Sequence, residues 1–321
     1  MLALSKSLRY RAEALPLHLL QAVLARLPFQ WVTRTGAALG VFAFALGLRR
    51  AQTLQQIEIA FGGAKSAHER VRIARGCYRH FGMMGFQFLM QASLTKREVW
   101  DWVRLDDLAL LRETLQEGKG ALLITGHLGN WELVGVGLNQ EGIALSLYVG
   151  AQHNPHADAI INRARQDTGS ETVHKGPNVK GILKALRANR AMAILADQHD
   201  TEKRYYVAFF GQPVSVAPGP ALLARRTGAP MLFADCTRGE DGRYGFRAER
   251  VSVQPTDDEE LDVLTITQGL FERLEACVRA RPEQYFWMHR RFRPIPEQVE
   301  LSPANRRFLR QRLPASALPP A

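Results

Sequence analysis

Cysteine is scarce in this chain of 321 residues: the three present, Cys77, Cys236 and Cys277, are far apart and odd in number. Such spacing argues against a disulfide framework and against a zinc site, and fits a reducing, cytosolic milieu. A long apolar run is also missing near the N-terminus. The uncharged stretch at residues 35–48 ends on Arg49-Arg50 and falls short of the ~20 residues that span a bilayer. A cleavable signal peptide fits poorly, because the basic pair follows the apolar run and no small-residue cleavage site is evident. Acidic residues are under-represented, with 31 Asp and Glu against 42 Lys and Arg and a formal net charge of +11. That balance favours polyanionic partners, and Arg in particular suits bidentate phosphate or carboxylate contacts. Nucleic acid is not among the expected partners: the arginines are scattered and no helix-turn-helix, finger or RNA-binding signature appears. Internal repeats and low-complexity domains are absent too. With 46% hydrophobic and 23% charged residues, the composition is that of a folded protein, as one elaborated domain or as two.

The stretch that organises the rest is residues 121–142, ALLITGHLGNWELVGVGLNQEG. Five apolar or β-prone residues predict a buried strand, Gly126-His127-Leu128-Gly129 a turn, and the pattern from Trp131 a helix capped by Asn130. His127 and Glu132 are five apart, too far round one helix to share a face. They meet only if His127 sits on the turn before the helix, which is the layout of a general base held by a carboxylate. The plainer alternative is a polar turn residue, a cap and a carboxylate at the helix dipole.

Around this stretch the spacing predicts an N-terminal helical region, an interfacial or shallowly inserted pair with Trp31 at headgroup level and Arg anchors. Its alternative is an amphipathic core helix. Helices are expected at 49–61 and 66–92, the second with Gly82 and Gly85 beside an apolar stripe, so that a kink or a close approach by a neighbour is possible. From about residue 100 helices and strands alternate. Strands are expected at 121–125, 143–149, 191–196, 231–235 and 243–253. Helices are expected at 107–116, 131–140, 154–168, 178–189, 220–227 and 261–279. The fold class is therefore α/β, a largely parallel central sheet covered by helices, preceded by a membrane-associating helical segment. Three parts follow: residues 1–50 at the membrane, 51–300 as the α/β unit, and 301–321 as a basic tail, partly disordered. In such sheets sites form at the carboxyl ends of strands, where His127 and Asp197-Gln198 fall.

Several stretches together are more specific than any one: GHLGNWE at 126–132, ADQ at 196–198, VAFFGQPV at 207–214, LARRTGAP at 223–230 and PEQYFWMHRRFR at 282–293. In this order the chain resembles the bacterial lipid A biosynthesis acyltransferases, the lauroyl/myristoyl transferase family, over roughly residues 10–295. The resemblance implies transfer of an acyl chain from an acyl carrier protein, or coenzyme A, to a hydroxyl of a phosphorylated glycolipid at the cytoplasmic face of the inner membrane. It implies no metal or other cofactor. His127 would be the base and Glu132 would orient it. No G-x-S-x-G nucleophile is present, so direct attack by the acceptor is expected, with oxyanion donors among backbone N–H groups near Gly129 or the helix start. Asp197, Gln198 and Asn130 would support or contact substrate, and Arg165 would meet the acceptor's phosphate. The run from Tyr285 to Arg291 would bind a headgroup or the acidic carrier, or merely close the fold. Of two departures from the family's habit, DQHDTEKRYY after the strand and Ala217 in SVAPGP, the first leaves the acceptor open: a glycophospholipid, ornithine lipid or lysophospholipid are alternatives. A non-catalytic membrane scaffold is the competing class.

Overall fold

Four helices stand ahead of the sheet, α1 (Leu2–Leu24), α2 (Phe29–Ala45), α3 (Arg50–Phe61) and α4 (Ala67–Met90). The computed structural model describes residues 2–176, 179–200, 202 and 204–318. α4 starts on a capping box: the Ser66 hydroxyl accepts from the Glu69 N–H and the Glu69 carboxylate accepts from the Ser66 N–H, a device contributing roughly 1 kcal/mol. α2 and α4 meet backbone to backbone. A Cβ on Gly36 would strike the Gly82 carbonyl, and one on Gly40 the Tyr78 carbonyl. Gly82 is thus the close approach that its place beside the apolar stripe suggested.

The remaining elements follow as α5 (Lys96–Trp102), β1 (Val103–Arg104), α6 (Leu108–Gln116), β2 (Ala121–Thr125), α7 (Trp131–Gln140), β3 (Leu145–Val149), α8 (Pro155–Gln166), β4 (Glu171–His174), α9 (Lys180–Arg187) and β5 (Ala191–Leu195). Then come β6 (Tyr205–Phe209), β7 (Gln212–Val216), α10 (Gly219–Thr227), β8 (Met231–Asp235), β9 (Tyr244–Gly245), β10 (Arg247–Val251), α11 (Glu259–Ala280) and α12 (Pro303–Arg310). The central sheet runs β10-β8-β2-β5-β3-β4. It is parallel throughout except for β10, which lies antiparallel on β8. This is the expected α/β class. All five residues of β2 are buried, because the sheet is covered on both faces. Leu122 and Ile124 pack with α9–α11 on one face, while Ala121 and Leu123 pack with α6 and α7 on the other.

Some elements differ from the sequence reading. The expected strand at 243–253 is broken into β9 and β10, and β9 pairs with β1 rather than with the central sheet. β4 (ETVH) and the hairpin β6–β7 were not anticipated. β4 is an edge strand with little buried surface, so it lacks an apolar signature. The hairpin turns on Phe210 and Gly211, both at positive φ of 52° and 70°, as a two-residue hairpin loop of the primed type demands. The basic helix expected after residue 301 exists as α12, and it is docked: Leu309 and Leu313 are buried against Tyr206 and Leu301. Residues 319–321, at the end expected to be disordered, lie outside the described residues.

Among the described residues no single helix is long and apolar enough to cross a membrane. The pair Phe29–Ala45 and Arg50–Ala64 passes that test only jointly, and it is bent by 91°. Even so, α1 and α2 expose Leu15, Leu19, Val23, Trp31, Leu39 and Phe42 to solvent, and Leu46 follows them.

Candidate active site

His127 follows the carboxyl end of β2 on a turn that only a glycine permits. Gly129 has φ +68°, and a Cβ there would strike the Cys236 carbonyl. The turn is fastened by its main chain. Gly129 N–H donates to Gln284 O and Asn130 N–H to Cys236 O, each at 3.0 Å, and the His127 carbonyl accepts from the Phe286 N–H, also at 3.0 Å. Buried His80 meets the Gly129 carbonyl through Nε2 at 3.0 Å. These bonds engage the N–H groups of Gly129 and Asn130, so the oxyanion donors expected at Gly129 are not available there.

Asn130 caps α7, accepting from the Leu133 N–H at 3.0 Å, and its amide donates to Gln87 Oε1 at 2.8 Å. At 1% exposure it is enclosed by protein. Both ends of its amide are thus engaged by protein groups. Gln87 continues the network to Thr33 and Tyr244, which sequence spacing alone does not reveal.

The carboxylate that meets the His127 ring is Asp197, at the end of the neighbouring strand β5. The strands are in register with Thr125 opposite Leu195, which brings the two following segments side by side. Asp197 Oδ1 accepts from His127 Nδ1 at 2.6 Å, and Oδ2 accepts from the His127 backbone N–H at 3.0 Å. Burial alone would raise the Asp197 carboxyl. The His127 charge, the two His127 hydrogen bonds and the Arg291 guanidinium outweigh it and bring Asp197 down to about 2. An ionised Asp197 fixes the proton on Nδ1 and leaves Nε2 as an acceptor. The Gln198 amide nitrogen lies 3.2 Å from that Nε2.

Glu132, expected to orient His127, is instead held by Arg165. Arg165 Nη2 donates to Glu132 Oε1 at 2.6 Å, and its Nε reaches both oxygens at 3.2 Å. The physical reason is the direction of α7. Its first turn points Glu132 toward α8, where a guanidinium satisfies both carboxylate oxygens, while the preceding turn sends His127 toward β5. Arg165 also lies over the Phe88 ring, 5.5 Å from its centroid.

His127, Glu132, Arg165 and Gln198 all line one open cavity of about 1230 Å³. Apolar side chains of α9 and α10, Ile182, Leu186 and Leu223 among them, line its flank, and Lys119, Arg187 and Arg226 line it as well. The volume exceeds the roughly 300–1,000 Å³ of ordinary small-molecule pockets. Trp131 stands edge-on to the His127 ring at 5.1 Å. The described residues contain no group of three or more His, Cys, Asp or Glu side chains that could hold a metal ion.

A family model described as bacterial lipid A biosynthesis acyltransferase matches residues 4–294. The chain is 25% identical to the lipid A biosynthesis lauroyltransferase of Escherichia coli K12 over 286 residues, 86% of this chain and 90% of that protein. It is also 25% identical to the palmitoleoyltransferase of the same organism, over 84% of this chain and 88% of that protein. A phosphatidylinositol mannoside acyltransferase of Mycobacterium tuberculosis CDC 1551 is 29% identical over 63% of this chain and 62% of its own length. By the span of that match, over residues 4–294, the chain belongs to the bacterial lipid A biosynthesis acyltransferase family.

Proposed function

We propose that this acyltransferase moves a fatty acyl chain from a thioester, on an acyl carrier protein or coenzyme A, to a hydroxyl of a lipid A precursor. The observation that carries the reading is the His127–Asp197 pair, with His127 lining the cavity. His127 takes the acceptor hydroxyl's proton on Nε2 as that oxygen attacks the thioester carbon. Asp197 stabilises the imidazolium that forms. Collapse of the tetrahedral adduct breaks the C–S bond, and the imidazolium returns the proton to the departing thiolate, giving ester and thiol. In the free enzyme the Gln198 amide occupies the hydrogen-bonding position that the acceptor hydroxyl takes over. Arg165, held by Glu132, presents a guanidinium edge to the acceptor's phosphate. The flank of α9 and α10 takes the acyl chain.

Residues 1–50 carry most of the exposed large apolar side chains, which suit contact with the cytoplasmic face of the inner membrane, with residues 51–300 as the catalytic unit. A second reading keeps the chemistry and changes the acceptor to another glycolipid, and the 29% identity to a phosphatidylinositol mannoside acyltransferase favours it.

The test is transfer from a defined acyl-carrier-protein thioester into extracted inner-membrane lipids, wild type against His127→Ala, with products resolved by mass spectrometry. The expected result is a new ester on a lipid A precursor that the variant does not make. Ester on a different lipid supports the second reading. Equal transfer by His127→Ala overturns the mechanism.

A further inference from the structure

The run from Tyr285 to Arg291, expected to bind a headgroup or the acidic carrier or merely to close the fold, is largely interior. Tyr285 is 2% exposed, and Trp287 and Arg291 are each 1% exposed. A denser set of solvent-facing cations lies along α9, whose sequence KGILKALR holds no acid. Ile182, Ala185 and Leu186 turn inward and are buried. Lys180, Lys184 and Arg187, at spacings of four and three, share the exposed side. Two loop lysines extend it. Lys119 sits beside the end of α9, where the Gly120 N–H donates to Asn189 Oδ1 at 2.9 Å, and Lys175 follows β4. Lys119, Lys175 and Arg187 all line the cavity that His127 lines.

We propose that the exposed side of α9, with Lys119 and Lys175, is the docking surface for an acidic carrier protein that presents the acyl thioester. The proposal deepens the acyl-transfer reading above and rests on it.

Three observations carry it. First, the charges are open. The side chains of Lys119, Lys175, Lys184 and Arg187 make no hydrogen bond or ion pair among the described residues. Acids near them are taken: Glu117 pairs with Arg250, Glu171 with Arg190, and Glu259 with Arg225 and Arg226. The dipole of α9 favours cations in its last turn, which accounts for Lys184 and Arg187. It does not account for Lys119 and Lys175, which stand outside the helix. Second, Val179, the residue before α9, is 49% exposed and lines the same cavity. An apolar contact ringed by charges has the make-up of a protein interface rather than of a solvated helix face.

Third, the cavity has another edge that suits the lipid. Glu132 and Arg165 stand there, at α8, and the cap of α8 is joined to α1: Asn154 Nδ2 donates to the Tyr10 carbonyl at 3.0 Å. α1 and the start of α2, with Leu15, Leu19, Val23 and Trp31 exposed, bury Leu24, Phe29 and Val32 in the cluster that contains Leu123. Ile182 and Leu186 of α9 pack instead with Leu122 and Ile124. These apolar-surfaced helices and the cations of α9 therefore lie on opposite faces of the sheet. A partner met by α9 comes from solution, and charges of one sign steer an acidic one toward the cavity.

The experiment measures transfer from the acyl-carrier-protein thioester and from the same acyl chain on pantetheine, which has the thiol without the protein. Wild type is compared with Lys175→Glu/Lys184→Glu and with the charge-keeping Lys175→Arg/Lys184→Arg. Arg307→Glu/Arg310→Glu makes an equal charge change on the exposed surface of α12. Circular dichroism melts establish which variants are folded, and the single Lys184→Glu serves if the glutamate pair is not. In low salt, KM for the carrier thioester should rise about ten-fold in the glutamate pair with kcat little changed. The arginine pair and the α12 variant should match wild type, and about 0.5 M salt should narrow the gap. All should use the pantetheine thioester alike. A wild-type KM in the glutamate pair overturns the proposal, as does an equal loss with the pantetheine thioester or in the α12 variant. Weakened vesicle binding with an unchanged carrier KM overturns it in favour of a lipid surface. Wild type that uses the pantetheine thioester but not the carrier's overturns this proposal alone. No transfer from either thioester overturns the acyl-transfer reading beneath it.

Discussion

Asp197 grips His127 twice, accepting from the ring at 2.6 Å and from the backbone N–H at 3.0 Å, and it does so from the end of the adjacent parallel strand. A carboxylate that fixes both ring and turn controls the tautomer as well as the orientation. Asp197→Asn offers an amide that can keep the shape but allows the ring to adopt the other tautomer. Its kcat should fall on the order of 10³-fold, with KM for the acyl thioester little changed. Steady-state kinetics of the purified protein would check this, and a loss under ten-fold would remove Asp197 from the pair.

Glu132 and Arg165 act together if the ion pair observed is their function. Glu132→Gln leaves a part-buried guanidinium without its anion, and Arg165→Ala leaves a carboxylate that is 8% exposed without its cation. Each single variant should weaken acceptor use, and the double variant should be no worse than the more severe single one. A double-mutant cycle on kcat/KM for the glycolipid is the measurement. Coupling of roughly 1–3 kcal/mol is expected, and simple additivity would separate the two residues.

What could be read before the structure divides along physical lines. β2, β5 and β8 were legible because strands buried on both faces are written as short apolar runs, and α4, α7 and α11 because their stripes have helical spacing. The Gly126–Gly129 turn was legible through its glycines and the capping Asn130. The partner of His127 was not. Sequence proximity favours Glu132, five residues away, whereas Asp197 is seventy residues away and reaches His127 only through the β2–β5 register. Local spacing carries no record of which parallel strand lies next door. Arg291 was hidden for a related reason: in HRRFR three arginines look alike, and only packing against Phe271 and β7 makes one of them interior.

His80 links stability to pH. Burial lowers it from 6.5 to about 4, because a charged imidazole beneath the Gly129 turn has no water. Below pH 6.5 the unfolded chain takes up a proton that the native state refuses, so stability is present above that pH and declines as pH falls toward 4. The loss from this one group is on the order of 3 kcal/mol across the window. His80→Gln keeps an amide donor for the Gly129 carbonyl and removes the titration. Thermal melts between pH 7 and 4.5 should show a shallower decline for the variant than for wild type, and parallel declines would assign the effect elsewhere.

The outer face of α2 should attach the protein to lipid without holding the fold together. Trp31 is 65% exposed and Phe42 58% exposed, whereas the inner face of the same helix lies on α4 through Gly36 and Gly40. Replacing both outer aromatics with serine removes side chains worth roughly 1.5–3 kcal/mol each when fully buried in an apolar medium. Partition into vesicles containing anionic phospholipid should therefore fall by about 100-fold, with the melting temperature within a degree or two of wild type. Gly40→Val is the opposite case: its side chain collides with the Tyr78 carbonyl, so the melting temperature should drop while Trp31 and Phe42 remain in place. Vesicle co-sedimentation and melts on both variants separate the roles. If the Trp31→Ser/Phe42→Ser protein sediments with vesicles as wild type does, the lipid-facing surface lies elsewhere on the molecule.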